Sequence, residues 1–367
     1  MGKWRAEATS HFATLLQKCP DDAAASLGCL FTKGYGRVSL ISKPEYMKPS
    51  EIPYLRSFPN DGRIRPLLTF FNEHGWHHYH MQSEFEIVDV PVVNLLDGIY
   101  LSDGPAAPED TEILLLTFFF QHFPTPETFR AFEKLDFDLG NALAVLEKQF
   151  IFHRHFRGTS NLSFSQIVGT EIEYALFNHR SAYDLLHGLV IVLMRVHRLG
   201  SKTIPDSFRR LAEKSPEERE RYGFPKPLAE FYQRRAERFM LYRDLRDAVG
   251  HHGDSVRAIY CLDEGFGLGP NCRIARKLKE AKIWQSLSPN QQDIGSCLAF
   301  LALLTSDIFD ALSDFTEALA ASFSTLPTPT AEGFHIFRRT LFYKHQQNLN
   351  SYIERPWDSM TQNVPCA

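Results

Sequence analysis

Apolar residues recur every three or four positions along four long stretches of the chain, which is the spacing of one buried helical face. These stretches cover about residues 129–156, 171–199, 228–255 and 293–323. Amphipathic helices of this length bury their apolar faces best in an up-and-down bundle. The pattern therefore predicts a mainly α fold with a four-helix bundle over residues 124–324.

The chain before the bundle has a different pattern. Residues 35–101 contain β-branched and aromatic runs separated by turn signals, and residues 4–18 could form a short amphipathic helix. We interpret residues 1–110 as a small α+β region of unknown role, with a boundary at 102–110.

Two further elements are predicted after the third helical stretch. Residues 257–268 have the pattern of a short hairpin that turns at Asp263, Glu264 and Gly265. A Pro/Thr-rich linker at 325–330 is followed by aromatic and basic residues, including Arg338, Arg339 and Lys344. We predict a C-terminal helix and tail for residues 331–367.

Composition narrows the class of protein. The chain has 367 residues, 44% of them hydrophobic, and a net charge of -4, which argues against a protein that coats nucleic acid through global positive charge. Its six cysteines include no C-x-x-C pair, as in reduced cytosolic proteins. No signal peptide is evident, and no apolar run is long enough to span a bilayer. We expect a soluble cytoplasmic protein that does not enter membranes.

The end of the third helical stretch carries the residues best suited to chemistry. Arg246 and Asp247 are followed by Gly250 and His251. Arginine can bind phosphate through two hydrogen bonds, and histidine can move protons near neutral pH. Five residues of ideal helix separate Arg246 and His251 by about 140°. The two side chains therefore share a face only if the helix unwinds at Gly250, where glycine makes unwinding cheap.

This arrangement resembles the signature of the HEPN superfamily, helical domains found in higher eukaryotes and prokaryotes. The signature is an arginine, usually followed by a polar residue, and a histidine after four to six intervening positions. The flanking text IPDSFRRLAEKS and YGFPKPLAEFY also resembles uncharacterised bacterial members. The resemblance implies a four-helix bundle that cleaves RNA without metal or cofactor, in some relatives as a toxin or phage-defence effector.

The resemblance also implies roles for individual residues. The RNA 2′-hydroxyl would attack the adjacent phosphorus, with His251 as general base or acid and Arg246 stabilising charge on the phosphoryl oxygens. Asp247 would orient the site. His252 also satisfies the spacing, although His251 is favoured. The alternative is structural: Arg246 would pair with Asp244 or Asp247, and the histidine would stabilise the helix C-terminus.

Several nearby residues could support this site. The text LFNHRSAYDLL, with Asn178, Arg180 and Asp184, resembles the helix that faces the motif in related proteins. Arg180 and Asp184 are equally well spaced for a solvated ion pair. Arg238 and Arg243 could hold RNA phosphates, although arginine-rich helix faces are usually only solvated.

Other chemistries have weaker signals. A cluster of four histidines suggests a zinc site, because zinc prefers imidazole ligands; it comprises His74, His77, His78 and His80. No cysteine at ligand spacing completes such a site. The preferred interpretation is an aromatic, histidine-rich strand that packs on a core. The glycines of GFGLGP follow a hairpin instead of opening a helix, so they do not form a dinucleotide loop.

Two functions of different class remain open. The first is a HEPN-type endoribonuclease that acts on RNA as a homodimer and is restrained by an antitoxin or regulatory partner. The second is a non-catalytic, HEPN-like scaffold that binds nucleotides or proteins.

Overall fold

The computed structural model describes residues 65–361, except for short internal gaps at 73–74, 83–85, 93–96, 123–125, 160–161, 197–203, 253–257, 281–292 and 324–334. The described chain is mainly helical and contains two sheets. It divides into two compact units. Unit 1 comprises Met1–Asp136 and Phe323–Leu341, and unit 2 comprises Phe137–Ser322 and Phe342–Ala367. The helix predicted for residues 4–18 lies outside the described residues.

Unit 1 contains a six-stranded sheet in the order β3-β2-β1-β4-β9-β5. Its neighbouring strands are antiparallel except for β1 and β4, which run parallel. The strands are β1 (Arg65–Asn72), β2 (Gly75–Gln82), β3 (Glu86–Val92), β4 (Gly98–Ser102), β5 (Thr111–Glu112) and β9 (His335–Arg339). The β-rich pattern predicted for 35–101 is therefore confirmed for the described part of that region.

Strand β9 corrects the prediction of a single terminal helix. It pairs with β4 on one side, from Gly98 opposite Arg339 to Ser102 opposite His335, and with β5 on the other. Three short helices follow it: α9 (Tyr343–Gln347), α10 (Leu349–Glu354) and α11 (Pro356–Thr361). Because β9 joins the sheet, unit 1 includes Phe323–Leu341, and the predicted boundary at 102–110 lies inside this unit.

Buried aromatic rings and one ion pair hold this sheet together. Tyr100 lies between Trp76 and Phe337, with ring centroids 4.8 and 5.6 Å away. Arg339 donates two hydrogen bonds to the Asp110 carboxylate and lies 4.8 Å from the Trp76 ring. The Tyr100 hydroxyl also donates to Asp110, at 2.7 Å. The β9 arginine thus ties the last strand to the loop before β5.

Unit 2 is built on four long helices: α2 (Pro126–Phe156), α3 (Ser163–Val196), α6 (Lys226–His252) and α8 (Cys297–Phe323). The unit boundary falls within α2, after Asp136. All four helices contribute buried side chains to one core, for example Leu146, Leu176, Leu245 and Leu301. The four predicted helical stretches are confirmed. Helix α3 begins earlier than predicted because Phe164 and Val168 extend its buried stripe past Gly169.

Two short helices connect α3 to α6 in a stretch whose sequence shows poor periodicity. They are α4 (Phe208–Ala212) and α5 (Pro216–Glu220), and α5 starts with a capping box between Ser215 and Glu218. Arg219 is fully buried in this region. Its guanidinium donates to the carbonyl oxygens of Leu211 and Ala229, and also to those of Ala212 and Lys214. The arginine therefore closes the end of α4 and joins it to α6.

The predicted hairpin is confirmed as β6 (Ile259–Leu262) and β7 (Gly265–Leu268), to which β8 (Gly295–Ser296) adds a third strand. A Cβ at Gly267 would lie 2.3 Å from Ile294 Cγ2, so this glycine allows close strand approach. The remaining helices are α1 (Leu114–His122) in unit 1 and α7 (Arg273–Glu280) in unit 2. None of the helices in the described part of the chain combines the length and apolar composition needed to span a bilayer.

Candidate active site

Helix α6 carries the Arg246–His251 motif at its C-terminal end. The helix packs through Phe231, Phe239, Tyr242 and Leu245, all of which are buried. Successive positions in this set lie eight, three and three residues apart and therefore share one face of the helix. The burial of this face fixes the helix in the core and leaves its final turns to present the motif.

The helix does not unwind at Gly250. It continues through Gly250 to His252, the last described residue before the gap at 253–257. A glycine inside a helix costs about 1 kcal/mol relative to alanine, and the buried Ala248 together with the partly buried Val249 helps to offset that cost. Arg246 and His251 therefore stand about 140° apart around the helix axis. By the same geometry, His251 occupies the position one helical turn after Asp247.

Asp247 holds two arginines. It contacts Arg243 Nη2 through Oδ2 at 3.1 Å and Arg246 Nη2 through Oδ1. All three side chains are largely withdrawn from solvent, with Arg246 only 13% exposed. Asp244, the second acidic neighbour of Arg243, is 58% exposed, so solvent screens its charge. The less exposed part of the cluster therefore contains two cations for one carboxylate, an arrangement suited to an anion.

The guanidinium of Arg246 has hydrogen-bonding capacity left over. Its Nε is buried and has no hydrogen-bond partner among the described residues. Its Cζ lies 5.5 Å from the centroid of the Phe177 ring of α3. Asp247 holds the arginine in place beside this ring, which prepares the guanidinium to bind an oxyanion without further ordering.

The supporting residues suggested by the sequence divide between core and surface. Asn178 is buried, and its Nδ2 donates to the carbonyl oxygen of Asp138 at 2.7 Å. Arg180 and Asp184 form a half-exposed ion pair at 3.1 Å. The structure thus gives Asn178 a role in joining α3 to α2, and gives Arg180 and Asp184 a surface contact of small energy.

Arg238 faces a buried polar group on its own helix. Burial acts to lower the pKa of Arg238, but the hydrogen bond and charge of Tyr242 together with other nearby groups raise this pKa overall. The charges of Asp307 and Tyr183 act on Arg238 in the same direction. Among the two proposed phosphate-binding arginines, Arg243 belongs to the cluster around Asp247, whereas Arg238 belongs to the polar core described next.

A buried polar network around Asp307 escaped the sequence analysis. Asp307 lies on α8, and its Oδ2 accepts hydrogen bonds from His179 Nε2 and the Tyr183 hydroxyl, both at 2.8 Å. On the other side, Arg235 Nη1 of α6 lies 3.5 Å from Asp307 Oδ1. Arg235 also contacts Asp314, about two turns further along α8 than Asp307. One carboxylate thereby connects α3, α6 and α8.

The electrostatics of this network keep Asp307 ionised. Burial alone would raise the pKa of Asp307, but the hydrogen bonds from His179 and Tyr183 and the charge of Arg235 hold that pKa below its ordinary value. Conversely, burial beside Asp307 raises the pKa of Tyr183 well above its ordinary value. The network thus keeps a fixed negative charge on Asp307 in the core, and the contact of this charge with Arg235 holds α6 in position. The available sequence signal was an aspartate inside the apolar run LALLTSDIFDAL, which contains both Asp307 and Asp310.

The structure describes only part of the histidine cluster of the N-terminal region. His77, His78 and His80 lie on β2, whereas His74 and the side chains of all four fall outside what the structure describes. Within the described residues, no group of three or more potential ligands is close enough to hold a metal ion. The Asp247 cluster of α6 is therefore the arrangement in unit 2 that best fits a reaction on a phosphate.

Comparison of the chain with protein-family models, with curated proteins and with solved structures finds no match.

Proposed function

We propose that this protein is a metal-independent endoribonuclease of the HEPN type, with its reaction centre at the C-terminal end of α6. One arrangement supports this activity. Asp247 holds the guanidinium of Arg246, which keeps an unused donor, one helical turn before the position of His251. A fixed cation beside a titratable imidazole suits a phosphodiester whose charge grows during the reaction.

The proposed reaction uses the RNA as its own nucleophile. The 2′-oxygen attacks the adjacent phosphorus, and the bond from phosphorus to the 5′-oxygen breaks. His251 accepts the proton of the 2′-hydroxyl or donates one to the leaving 5′-oxygen, and Arg246 stabilises the phosphoryl oxygens. The products are a 2′,3′-cyclic phosphate and a 5′-hydroxyl. His252 is the alternative proton carrier, and Arg243 is the additional contact for phosphate.

A homodimer would complete this site. In-line cleavage needs an acid and a base on opposite sides of the phosphorus, whereas the continuous helix of one chain holds Arg246 and His251 on different sides. Two motif helices facing each other across a two-fold axis would supply both groups. We further propose that the four long helices form a HEPN-like bundle acting in the cytoplasm, restrained by an antitoxin or regulatory partner.

RNA cleavage in the presence of EDTA tests the proposal. The wild type should produce 2′,3′-cyclic phosphate ends from RNA and leave DNA intact. His251→Ala should lower the rate about 10²–10⁴-fold, the usual contribution of a general acid–base group. Arg246→Lys keeps the charge but loses the two-pronged contact, so its rate should also fall.

The control is Arg210→Ala, which removes an exposed ion pair with Asp206 and should leave the rate unchanged. Unchanged cleavage by His251→Ala together with inactive His252→Ala would transfer the proton-carrying role to His252. If wild-type protein binds RNA but never cleaves it, the result would instead favour the non-catalytic scaffold. The observation that supports a scaffold is that both carboxylate oxygens of Asp247 are already paired with arginines of the same chain.

A further inference from the structure

Helix α3 presents apolar side chains on its outer face. Tyr174 is 39% exposed and Phe177 is 49% exposed. Ile167 is 36% exposed and lies about two helical turns before Tyr174 on the same side. The opposite face is occupied by Val168 and Ile172, which are buried in the core of unit 2. The exposed rings are therefore not needed for packing the described chain, and their exposure has an energetic cost that a bound partner would relieve.

Each exposed ring has a cation beside it. Arg246 Cζ of α6 lies 5.5 Å from the Phe177 centroid, and Lys148 Nζ of α2 lies 6.0 Å from the Tyr174 centroid. Lys148 is also held at 2.9 Å by Glu171, which fixes its position near the ring. Three helices thus converge on a surface where aromatic faces alternate with positive charges.

We propose that Tyr174 and Phe177 form a stacking platform for unpaired bases of single-stranded RNA. The proposal rests on the proposed function because it shares Arg246 with the reaction centre. Single strands bind proteins through two features, aromatic rings on which bases stack and cations that accompany the phosphates. Residues three apart on a helix have Cβ atoms about 5–6 Å apart, so Tyr174 and Phe177 are close enough to serve neighbouring nucleotides.

The platform selects unpaired RNA over a duplex. In a duplex the faces of the bases are already stacked on each other, so the rings of Tyr174 and Phe177 on the surface of α3 cannot reach them. The charges also favour a polyanion over an apolar protein surface, because Arg246 and Lys148 would have to be desolvated against such a partner. The bases of a loop or a free end, in contrast, place their flat faces on the rings and their phosphates near the cations.

Binding of an oligonucleotide that cannot be cleaved tests the platform. The probe is a fluorescein-labelled, single-stranded 2′-O-methyl RNA, which lacks the attacking hydroxyl, and its affinity is measured by anisotropy. Leucine in place of either ring keeps apolar bulk but removes the aromatic face. Phe177→Leu and Tyr174→Leu should each raise Kd roughly 5- to 100-fold.

Tyr260 supplies the matched control. It is 44% exposed on β6, yet no arginine or lysine lies over its ring among the described residues. Tyr260→Leu should leave Kd unchanged. A second probe of the same length carries sugars and phosphates without bases, and with it the difference between wild type and Phe177→Leu should disappear. A difference that persists on this abasic probe, or an unchanged Kd for Phe177→Leu, would overturn the platform.

The same variants separate this proposal from its alternatives. If Phe177→Leu dissociates a dimer in sedimentation but binds the probe like wild type, the surface is a contact between protein chains and the platform is wrong. If wild-type protein fails to cleave RNA while both leucine variants lose affinity only for the probe with bases, the platform stands and the proposed catalysis fails.

Discussion

Replacing Asp307 by alanine should destabilise unit 2 more than any surface change. The carboxylate accepts two hydrogen bonds, from His179 and Tyr183, and faces the charge of Arg235. A hydrogen bond to a charged group contributes about 1.5–3 kcal/mol, so the two bonds alone account for about 3–6 kcal/mol. Removing the carboxylate also removes the cost of burying its charge, which offsets part of this loss. The net loss of stability is then the usual cost of breaking a buried pair, about 3–5 kcal/mol.

Thermal unfolding followed by circular dichroism at the helical band measures this loss. One kcal/mol shifts Tm by about 2–4 °C in a domain of 150–250 residues, so Asp307→Ala should lower Tm by roughly 6–20 °C. Asp307→Asn should lose less, because the amide keeps the volume and can still bond to His179 and Tyr183 once their hydrogens reorient.

Asp314→Ala is the matched control for this prediction. Asp314 also contacts Arg235 and lies on the same helix, but it is 30% exposed. Its removal should cost about 1 kcal/mol or less. Equal shifts for Asp307→Ala and Asp314→Ala would refute the reasoning, because they would mean that the buried carboxylate contributes no more than its half-exposed neighbour.

Two further predictions concern stability. Arg219→Ala leaves the carbonyl oxygens at the end of α4 without their buried donor and should lower the free energy of unfolding in denaturant by about 3–5 kcal/mol. Arg219→Lys should recover little of this loss, because one ammonium group cannot reach all the acceptors. Recovery of the wild-type stability by Arg219→Lys would contradict the prediction. His187 Nε2 donates a hydrogen bond to the Pro205 carbonyl oxygen, and Nδ1 of the neutral ring accepts one from the Tyr232 hydroxyl. Burial lowers the pKa of His187 from 6.5. Below pH 6.5 the unfolded chain therefore binds more protons at this residue than the folded chain does. The stability gained from neutral His187 is present above pH 6.5 and is lost as the pH falls towards the folded pKa. In melting curves the Tm of the wild type should decrease relative to that of His187→Gln over this pH window, and a constant difference in Tm would contradict the prediction.

Local patterns predicted much of the helical unit. The long helices follow from apolar periodicity, and the hairpin follows from alternating residues around Asp263 and Glu264. The capping box at Ser215 and Glu218 is also a local start signal for α5, although the sequence analysis did not predict this helix. These features depend on neighbours in the chain, which is why residue types alone indicate them.

The remaining features depend on distant parts of the chain. Strand β9 has only five residues, and its partners in β4 are far away in sequence. The sequence of β9 alone therefore gave no indication that it pairs with β4. The contact between Arg246 and Asp247 follows from their adjacency, but the position of Phe177 near Arg246 depends on how α3 packs against α6. For the same reason Asp307 could be noticed as a charge in an apolar run, whereas its three partners could not be identified.

The position of β9 also determines the order in which the protein can be completed during synthesis. Chains leave the ribosome from the N-terminus, and β4 is made long before the strand that covers it. Until residues 335–339 emerge, β4 and β5 lack their common neighbour in the sheet. An uncovered strand edge can pair with other nascent chains. The edges of the newly made strands therefore stay open to such pairing during the time needed to translate about two hundred further residues, about 10–40 seconds at the usual 5–20 residues per second.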